Sequence, residues 1–465
     1  RKTLSLGFNQ AQAPLEFIPP KFNPSVLRIT QLLLPAWIPS QTILSQIEAE
    51  NVKTLVKLVN EFQQKKIRFL IAFRHPQVED PFSLGYLFSH IVPKVAREEG
   101  IKLNYPVHAH FIYDRGIPLW AGSHIGWFLS RMGATPIQRG KADWTGLRSA
   151  RNLFVEANFP MAAAPEGATN GLSEMISPLE PGIAQLGFWC AEDLEKVGRN
   201  EQVFILPVGI KYSYINPPWE SIDKLLRELE AASGLAVDEK GFDKALPQEI
   251  LYPKLIRLTD HLLSVMEDFY KRFYHHELKL NTPETDTSDG NEVIAARLQA
   301  LLDSALKVSE DYFDLQPKGN FSDRCRRVEQ AGWNYIFRED FKDTKSLSTI
   351  EKRLADRVAE EASLRMWHMR LVESFVAVTG KYVREKPTAE RFAETILILW
   401  NMVTRIKGGN PFKRPKLGKQ RAKITIGEPL SISDRFEDYK KNRKAARIAV
   451  GDFTNDLQKV MEELI

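Results

Sequence analysis

The chain has 465 residues, of which 43% are hydrophobic and 26% are charged, and its formal net charge is +5. This length predicts two packed units or one domain with a large insertion, and the composition excludes wholesale disorder and a polytopic membrane protein. The positive charge predicts mild attraction to anionic partners such as lipid headgroups or acidic proteins, whereas no nucleic-acid-binding motif is present.

Cysteines and apolar runs narrow the class of protein further. Cys190 and Cys325 are the only cysteines, and neither stands in a Cys-x-x-Cys or metal-ligand spacing, so the sequence predicts no disulfide framework and no metal site. The longest apolar stretches, residues 27–38 and 396–403, fall short of the roughly 18 residues that a spanning helix needs. We therefore expect no transmembrane helix in this chain and any contact with a bilayer to be made from its surface.

The first half of the chain predicts an α/β layer. Residues 1–66 are predicted to form an N-terminal extended and helical segment, with a helix over residues 43–64. Strands are predicted at residues 67–73, 107–113, 134–138, 161–164 and 203–212. Helices are predicted at residues 81–100, 120–131, 144–158 and 182–196. Such alternation over residues 67–216 is typical of an α/β fold, here with a mixed sheet flanked by helices.

The second half predicts a helical insertion over residues 217–419. Its pattern consists of long helices, interrupted by a polar stretch at 281–291 that predicts a mobile loop. A closing segment, residues 420–465, contains a strand at 422–426 and then a basic amphipathic helix. Because connections in compact domains are short, we expect the insertion to have its own core and the last strand to join the first sheet.

His75 and Asp80 are the first candidates for chemistry, because they follow the first predicted strand. Five residues of continuous helix turn two side chains about 140° apart. Pro76 and Pro81 instead favour a turn in which Asp80 begins a helix and reaches back to the imidazole. The carboxylate then fixes the tautomer and leaves the other ring nitrogen to remove a proton from a hydroxyl. The alternative is that Asp80 only caps the helix and His75 is a turn residue.

Three further clusters follow or lie within later strands. The cluster after residues 161–164 consists of Pro165, Glu166, Gly167 and Thr169. A tight turn without a functional role explains these residue types equally well. Arg139 follows the strand at 134–138, where it either binds a phosphate through two hydrogen bonds or lies solvated on the surface. Pro207 lies in the apolar run 203–212, which alone predicts only a buried strand.

In their order along the chain, these clusters resemble four sequence blocks of the glycerolipid acyltransferase family, which includes glycerol-3-phosphate and lysophosphatidate acyltransferases. His75 and Asp80 match the H-x4-D block, including the proline that often follows the aspartate. Arg139 matches the end of the second block, although residues 136–138 read Pro-Ile-Gln where the family has Phe-Ile-Asp.

The third block, Phe-Pro-Glu-Gly-Thr/Ser, is matched by Pro165, Glu166, Gly167 and Thr169. Ala164 replaces the phenylalanine, and Ala168 is inserted before the threonine. Pro207 matches the proline of the fourth block. The resemblance covers about residues 67–215 and the last predicted strand, and the general pattern is similar to cyanobacterial and plastid members.

The resemblance implies transfer of a fatty acyl group from acyl carrier protein or coenzyme A to a hydroxyl of glycerol-3-phosphate or lysophosphatidate in phospholipid synthesis. It implies His75 as the general base, Asp80 as its orienting partner, and Arg139 on the acceptor phosphate. Glu166, Gly167 and Thr169 are expected to hold the acceptor. No cofactor is implied beyond the thioester co-substrate. The expected location is the cytoplasm or plastid stroma, at an anionic membrane surface.

Two alternatives stay open. The altered second block favours an acceptor without a phosphate, such as a glycolipid or a long-chain alcohol. A membrane-associated scaffold that retains the fold without turnover is the alternative from another class. The joint presence of four residues argues against it: His75, Asp80, Glu166 and Gly167. A serine hydrolase is disfavoured because the chain has no Gly-x-Ser-x-Gly nucleophile elbow.

A basic stretch, residues 405–423, carries eight lysines and arginines and no acidic residue. Glycines and prolines interrupt it, which predicts a loop. We expect this loop to attract an anionic headgroup or an acidic carrier protein, and a merely solvated surface is the alternative.

Overall fold

A computed structural model of the protein describes residues 9–138, 143–237, 246–278, 290–375, 378 and 380–465, with only the backbone of Trp120. The chain divides into two compact units. The sheet unit comprises Glu16–Ile215 and Lys419–Ile465, and the helical unit comprises Arg1–Leu15 and Asn216–Gly418.

Eight strands form one sheet in the sheet unit. Their bounds are β1 Leu44–Glu50, β2 Ile67–Phe73, β3 His110–Asp114, β4 Thr135–Ile137, β5 Met161–Ala163, β6 Gln202–Tyr214, β7 Gln420–Ile426 and β8 Leu430–Ser431. The strand order is β1-β7-β6-β2-β5-β3-β4, and β8 pairs with β6. Only the β6–β7 and β6–β8 pairs are antiparallel, so the fold is α/β with a mixed, mostly parallel sheet.

Helices cover both faces of this sheet because its central strands are apolar on both sides. In β2, Ile67, Phe69, Ile71 and Phe73 face one apolar core, and Leu70 and Ala72 face the other. The helices before the insertion are α1 Pro24–Gln41, α2 Val52–Gln63, α3 Asp80–Tyr86, α4 Val92–Glu98, α5 Ile117–Ala121, α6 Ser123–Arg131, α7 Trp144–Glu156 and α8 Gly182–Lys196. A π-helical segment, Leu87–Ile91, joins α3 to α4.

The predicted helix at residues 43–64 is wrong in its first half. Residues 44–50 form the edge strand β1, which pairs in parallel with β7. Asn51 adopts a left-handed conformation with φ 58°, and helix α2 begins only at Val52. The partner strand of β1 lies about 370 residues further along the chain, so local periodicity does not reveal this pairing.

Seven helices lie among the described residues of the helical unit, and those residues contain no strand longer than a single bridge. They are α9 Trp219–Ala232, α10 Pro247–Tyr274, α11 Gly290–Tyr312, α12 Phe321–Ile336, α13 Thr349–Val372, α14 Tyr382–Glu385 and α15 Ala389–Ile406. A buried two-pronged ion pair joins α12 to α11, with Arg324 Nε and Nη2 at 2.8 and 2.7 Å from the Glu310 carboxylate. Residues 281–289 of the loop predicted at 281–291 lie outside the described residues.

The closing segment returns to the sheet unit. Strand β7 pairs antiparallel with β6, with Val208 opposite Ile426, which confirms that the last strand joins the first sheet. The basic helix predicted after the last strand is interrupted, because α16 Phe436–Tyr439 ends before α17 Arg443–Glu463, which Asn442 caps. At Gly209 a Cβ atom would lie 2.6 Å from the Leu464 carbonyl oxygen, so the chain end packs directly on β6.

Pro207 lies inside β6, where a proline removes one backbone donor. Residues 204 and 205 pair with β8, whereas pairing with β7 begins at Val208. Strands β8 and β7 pair with the same edge of β6. Pro207 lies at the point where pairing passes from β8 to β7, and this is where the N–H group is missing. Among the described helices, none is both long and apolar enough to cross a membrane.

Candidate active site

The structure brings His75 and Asp80 together where β2 ends. Asp80 is the first residue of α3 and Pro81 the second, as the sequence predicts. His75 Nδ1 lies 2.9 Å from Asp80 Oδ2. The prediction that the turn lets Asp80 reach the imidazole is therefore confirmed.

Asp80 is fully buried, and its carboxylate accepts from three donors. Besides His75, the backbone N–H of Gln77 donates to Oδ2 at 3.0 Å, and the hydroxyl of Tyr212 donates to Oδ1. A buried carboxylate requires such partners because an unpaired charge away from water is costly. These donors fix the orientation in which Asp80 meets the imidazole.

Tyr212 is a site residue that the sequence did not predict. Burial and the negative charge of Asp80 raise its pKa well above the usual range, so the hydroxyl stays protonated and donates. Tyr212 shares a face of β6 with Leu206, Val208 and Ile210. In the sequence, only one feature points to Tyr212: it follows the alternating apolar residues of this face and carries a hydroxyl group.

The ring of His75 is partly open to solvent, with 23% of its side chain exposed. The phenyl ring of Phe73 contacts it edge-on at 5.9 Å between ring centroids. With Asp80 accepting at Nδ1, the tautomer carries its hydrogen there, and Nε2 keeps its lone pair. No hydrogen bond from the described part of the chain engages Nε2, so this nitrogen is able to accept a proton from a bound hydroxyl.

Glu166 is buried against the backbone of His75 and does not lie at an open surface. Its side chain is fully buried, and Oε1 accepts from the backbone N–H of His75 at 3.1 Å. Oε2 accepts from Ser177 N at 3.0 Å and from Asn170 Nδ2 at 3.2 Å. Because donors of this chain engage both oxygens, the geometry favours a positioning role for Glu166 over the predicted contact with an acceptor.

Arg74 is a second residue that the sequence did not single out. Its fully buried guanidinium lies 3.5 Å from Glu166 Oε1, and Nη2 donates to the Leu172 carbonyl at 2.6 Å. It also donates to the carbonyls of Ser173 and Met175. Arg74 and Glu166 therefore tie the end of β2 to residues 166–177, and each neutralises the other's buried charge.

The other predicted site residues occupy different positions. Gly167 adopts φ 75° in the turn after β5, a conformation that favours glycine, and Thr169 is exposed on the same turn. The N–H of Gly171 donates to the Pro76 carbonyl at 3.2 Å, which places this turn beside the His75 turn. Arg139 lies outside the described residues.

Other groups with catalytic potential are buried. Burial raises the pKa of the Cys190 thiol to about 12 and also raises that of Cys325, so neither is a ready thiolate. Burial lowers the pKa of His108 to about 4, and its Nε2 donates to the Met132 carbonyl at 2.9 Å. In the part of the chain that the structure describes, no cluster of three or more His, Cys, Asp or Glu is arranged to hold a metal ion.

No protein-family model matches the chain, and no curated protein sequence matches it either. The geometry around His75 therefore carries the functional argument.

Proposed function

We propose that the protein is an O-acyltransferase of the glycerolipid acyltransferase type. It moves a fatty acyl group from an acyl thioester to a hydroxyl of glycerol-3-phosphate or lysophosphatidate. The observation that carries the proposal is the 2.9 Å contact between His75 Nδ1 and Asp80 Oδ2, which leaves Nε2 open at the C-terminal end of a central strand. Ligand sites of open α/β sheets lie at these strand ends.

The reaction needs one base and no covalent enzyme intermediate. His75 Nε2 takes the proton of the acceptor hydroxyl as its oxygen forms a bond to the thioester carbonyl carbon. The carbon–sulfur bond then breaks, and the thiolate leaves with the electron pair of that bond. The imidazolium returns its proton to the thiolate, and Asp80 stabilises the imidazolium while it exists.

The surrounding residues prepare His75 for this step. Tyr212 and the Gln77 N–H hold Asp80 in place, and Glu166 holds the backbone of His75. A base that is fixed before the substrate arrives loses little entropy when it reacts. In this proposal Gly167 and Thr169 contact the acceptor from the adjoining turn, and Arg139 binds its phosphate.

Contact with an anionic membrane surface is part of the proposal. Helix α1 exposes Ile29, Leu32 and Leu33, which are 58%, 78% and 58% exposed. The ring of Trp37 on the same helix lies 4.7 Å from that of Phe82, two residues after Asp80. An apolar helix face beside the catalytic helix suits shallow insertion among lipid headgroups.

A second acceptor class is supported by the second sequence block, where Gln138 stands in place of the family's aspartate. A non-phosphorylated alcohol or glycolipid is the alternative acceptor. Turnover with matched phosphorylated and dephosphorylated acceptors distinguishes the two classes. An acceptor without a phosphate leaves the cations of a phosphate site unpaired, so such a site discriminates strongly against it.

The test of the proposal is a turnover assay on the full chain. Acyl carrier protein and coenzyme A thioesters are crossed with lysophosphatidate, glycerol-3-phosphate and a long-chain alcohol, for the parent and for His75→Ala. His124→Ala is the matched control, since His124 is an exposed histidine of α6 in the same unit. Turnover that survives in His75→Ala removes the mechanism. Absence of turnover in the parent with every donor and acceptor favours the scaffold alternative.

A further inference from the structure

Helix α13 of the helical unit exposes large apolar side chains on the face that is turned away from its core. The buried face of this helix includes Ala355, Ala359, Ala362 and Met366. Each residue turns a helix by about 100°, which places Ile350, Leu354 and Leu364 on the opposite face. These three side chains are 74%, 64% and 63% exposed. A surface helix normally carries polar residues opposite its core-facing side, so this aligned apolar face indicates a contact surface.

Two charged residues lie between the apolar ones on the same face. We call the five residues together the α13 stripe: Ile350, Leu354, Arg357, Glu361 and Leu364. Successive members are separated by alternating steps of four and three residues, and all five lie within the helix. This spacing keeps their side chains in one line along the helix, as in the seam of a coiled coil. The α13 stripe is therefore suited to contact with another helix.

The order of residue types in the α13 stripe is complementary to itself. Leu354 and Leu364 lie five residues before and after Ala359, and Arg357 and Glu361 lie two residues before and after it. Two copies of the helix can meet antiparallel with their Ala359 positions at one level. In that arrangement each Leu354 meets the Leu364 of the other copy, and each Arg357 meets the other Glu361. A two-fold axis produces such contacts, because it pairs a surface with itself.

Within one chain, the two charged residues are only weakly held. Arg357 Nε lies 3.2 Å from Glu361 Oε1, and its Nη1 donates to Glu360 Oε2 at 3.0 Å. The hydroxyl of Tyr312 donates to Glu361 Oε2 at 3.2 Å. The side chains of Arg357 and Glu361 are 66% and 42% exposed, and exposed ion pairs contribute little to stability. Both residues can therefore turn to a second copy without a large loss within their own chain.

We propose that the α13 stripe binds a second copy of this chain in a symmetric dimer with antiparallel α13 helices. Leu354 and Leu364 supply the apolar contacts, Ile350 extends them at both ends, and the Arg357–Glu361 pairs fix the register. From Ile350 to Leu364 the stripe covers about 21 Å of helix. A contact of this length is small for a specific interface, so we expect a reversible dimer with a micromolar dissociation constant. The stripe contains none of the catalytic residues, so the dimer is independent of the acyl transfer.

Sedimentation velocity of the full chain at increasing concentration measures the association. The parent should pass from monomer to dimer. Leu354→Asp and Leu364→Asp should each raise the dissociation constant at least about tenfold, because each dimer would then hold two carboxylates in an apolar contact. Leu32→Asp should leave it unchanged and is the matched control, because Leu32 is a 78% exposed leucine outside the stripe. Circular dichroism and thermal melting confirm that each variant is folded. A parent that stays monomeric at near-millimolar concentration, or a control that weakens association as much as the stripe variants, overturns the proposal.

The register is tested by exchanging the charges of the stripe. Arg357→Glu and Glu361→Arg each bring like charges together at both pairs, so each variant alone should dimerise at least about tenfold more weakly than the parent. An equimolar mixture of the two variants places opposite charges at both pairs and should restore association as a dimer of one chain of each kind. The doubly exchanged variant should dimerise like the parent.

Rescue by mixing is specific to a contact between chains, because mixing cannot repair an ion pair within one helix. A fluorescent label on the Arg357→Glu variant identifies the mixed dimer in the same sedimentation experiment. Single-charge variants that dimerise like the parent, or a mixture that associates no better than its components, would show that the antiparallel stripe contact is wrong.

Discussion

The His75 site and an apolar pocket of the helical unit, lined by residues of α10, α11 and α15, are built in opposite ways. Around His75, charged and polar groups are buried and satisfied by donors and acceptors of the chain itself, including Asp80, Glu166 and Arg74. In the helical unit, the pocket is apolar, with polar atoms in one cluster. A network of directed bonds fixes one geometry and suits a reaction, whereas an apolar lining tolerates variation in side-chain shape. Substitutions in the first region should therefore affect rate or folding sharply, and those in the second should change stability gradually.

The largest effect is expected at the catalytic pair. His75→Ala and Asp80→Asn should each lower turnover by factors of about 10² to 10⁴, the range for loss of general-base catalysis. In Asp80→Asn the new amide oxygen still accepts from the imidazole, and its NH₂ group can turn toward the Tyr212 hydroxyl, so the fold should remain. Steady-state turnover is measured beside the far-ultraviolet circular dichroism spectrum. Near-normal turnover in a folded Asp80→Asn variant contradicts the role of the Asp80 charge in stabilising the imidazolium.

Glu166→Gln should act mainly on stability. The amide cannot neutralise Arg74, and its NH₂ group faces donors, so we expect the free energy of unfolding to fall by about 3–5 kcal/mol, as when a buried ion pair is broken. Urea unfolding measures the loss. The control is Glu156→Gln, which removes an exposed ion pair with Arg199 and should cost about 1 kcal/mol or less. A raised KM with unchanged stability would instead support direct contact of Glu166 with the acceptor.

Tyr212→Phe should also lower the free energy of unfolding, by less than Glu166→Gln does. It removes one hydrogen bond to a buried carboxylate, which corresponds to about 1.5–3 kcal/mol of stability. Because Tyr212 acts through Asp80, we expect kcat to fall and KM to stay constant. Tyr113→Phe is the control, since among the described residues the buried Tyr113 hydroxyl has no hydrogen-bond partner. If both variants lose equal stability and activity, the bond from Tyr212 to Asp80 has no special role.

The smallest effect is expected in the basic stretch of the helical unit. Lys413, Arg414 and Lys416 are exposed, whereas Lys419 of the sheet unit donates to the Pro39 carbonyl at 3.1 Å. Replacing any one of the three exposed residues with Gln should weaken binding to anionic vesicles by about 1 kcal/mol, and the effect should fade at high salt. Vesicle co-sedimentation compares them with Lys57→Gln, an exposed lysine of α2. Identical binding of all four variants at low salt would leave this stretch a solvated surface.

The parts of the fold that depend on local patterns could be predicted from the sequence. The alternating strands, helix α8 at residues 182–196 and the turn between His75 and Asp80 follow from short-range periodicity and from two prolines. Strand β1 could not be predicted because its partner β7 is about 370 residues away. Ion pairs across these two strands, including Lys423 Nζ to Glu50 at 2.9 Å, also have no local signal.

The candidate site was predictable only in part, and for a similar reason. The motifs that follow β2 and β5 indicate residues that lie at these strand ends, but they do not indicate which way a side chain turns. Glu166 was therefore expected to contact the acceptor, although it faces inward to the backbone of His75. Tyr212 lies 132 positions from Asp80, and only the pairing of the sheet reveals their bond.

One edge of β6 pairs with β8 and β7, and this arrangement has a consequence for synthesis on the ribosome. On this edge, residues 208–214 have no partner until β7 is made, and β7 begins about 200 residues later in the chain. At about 5–20 residues per second, this edge of the nascent sheet stays open for roughly 10–40 s. An open apolar edge invites pairing with other chains, so the growing polypeptide passes through an aggregation-prone interval. Slower translation of the helical insertion should lengthen this interval and increase the nascent chain's dependence on chaperones.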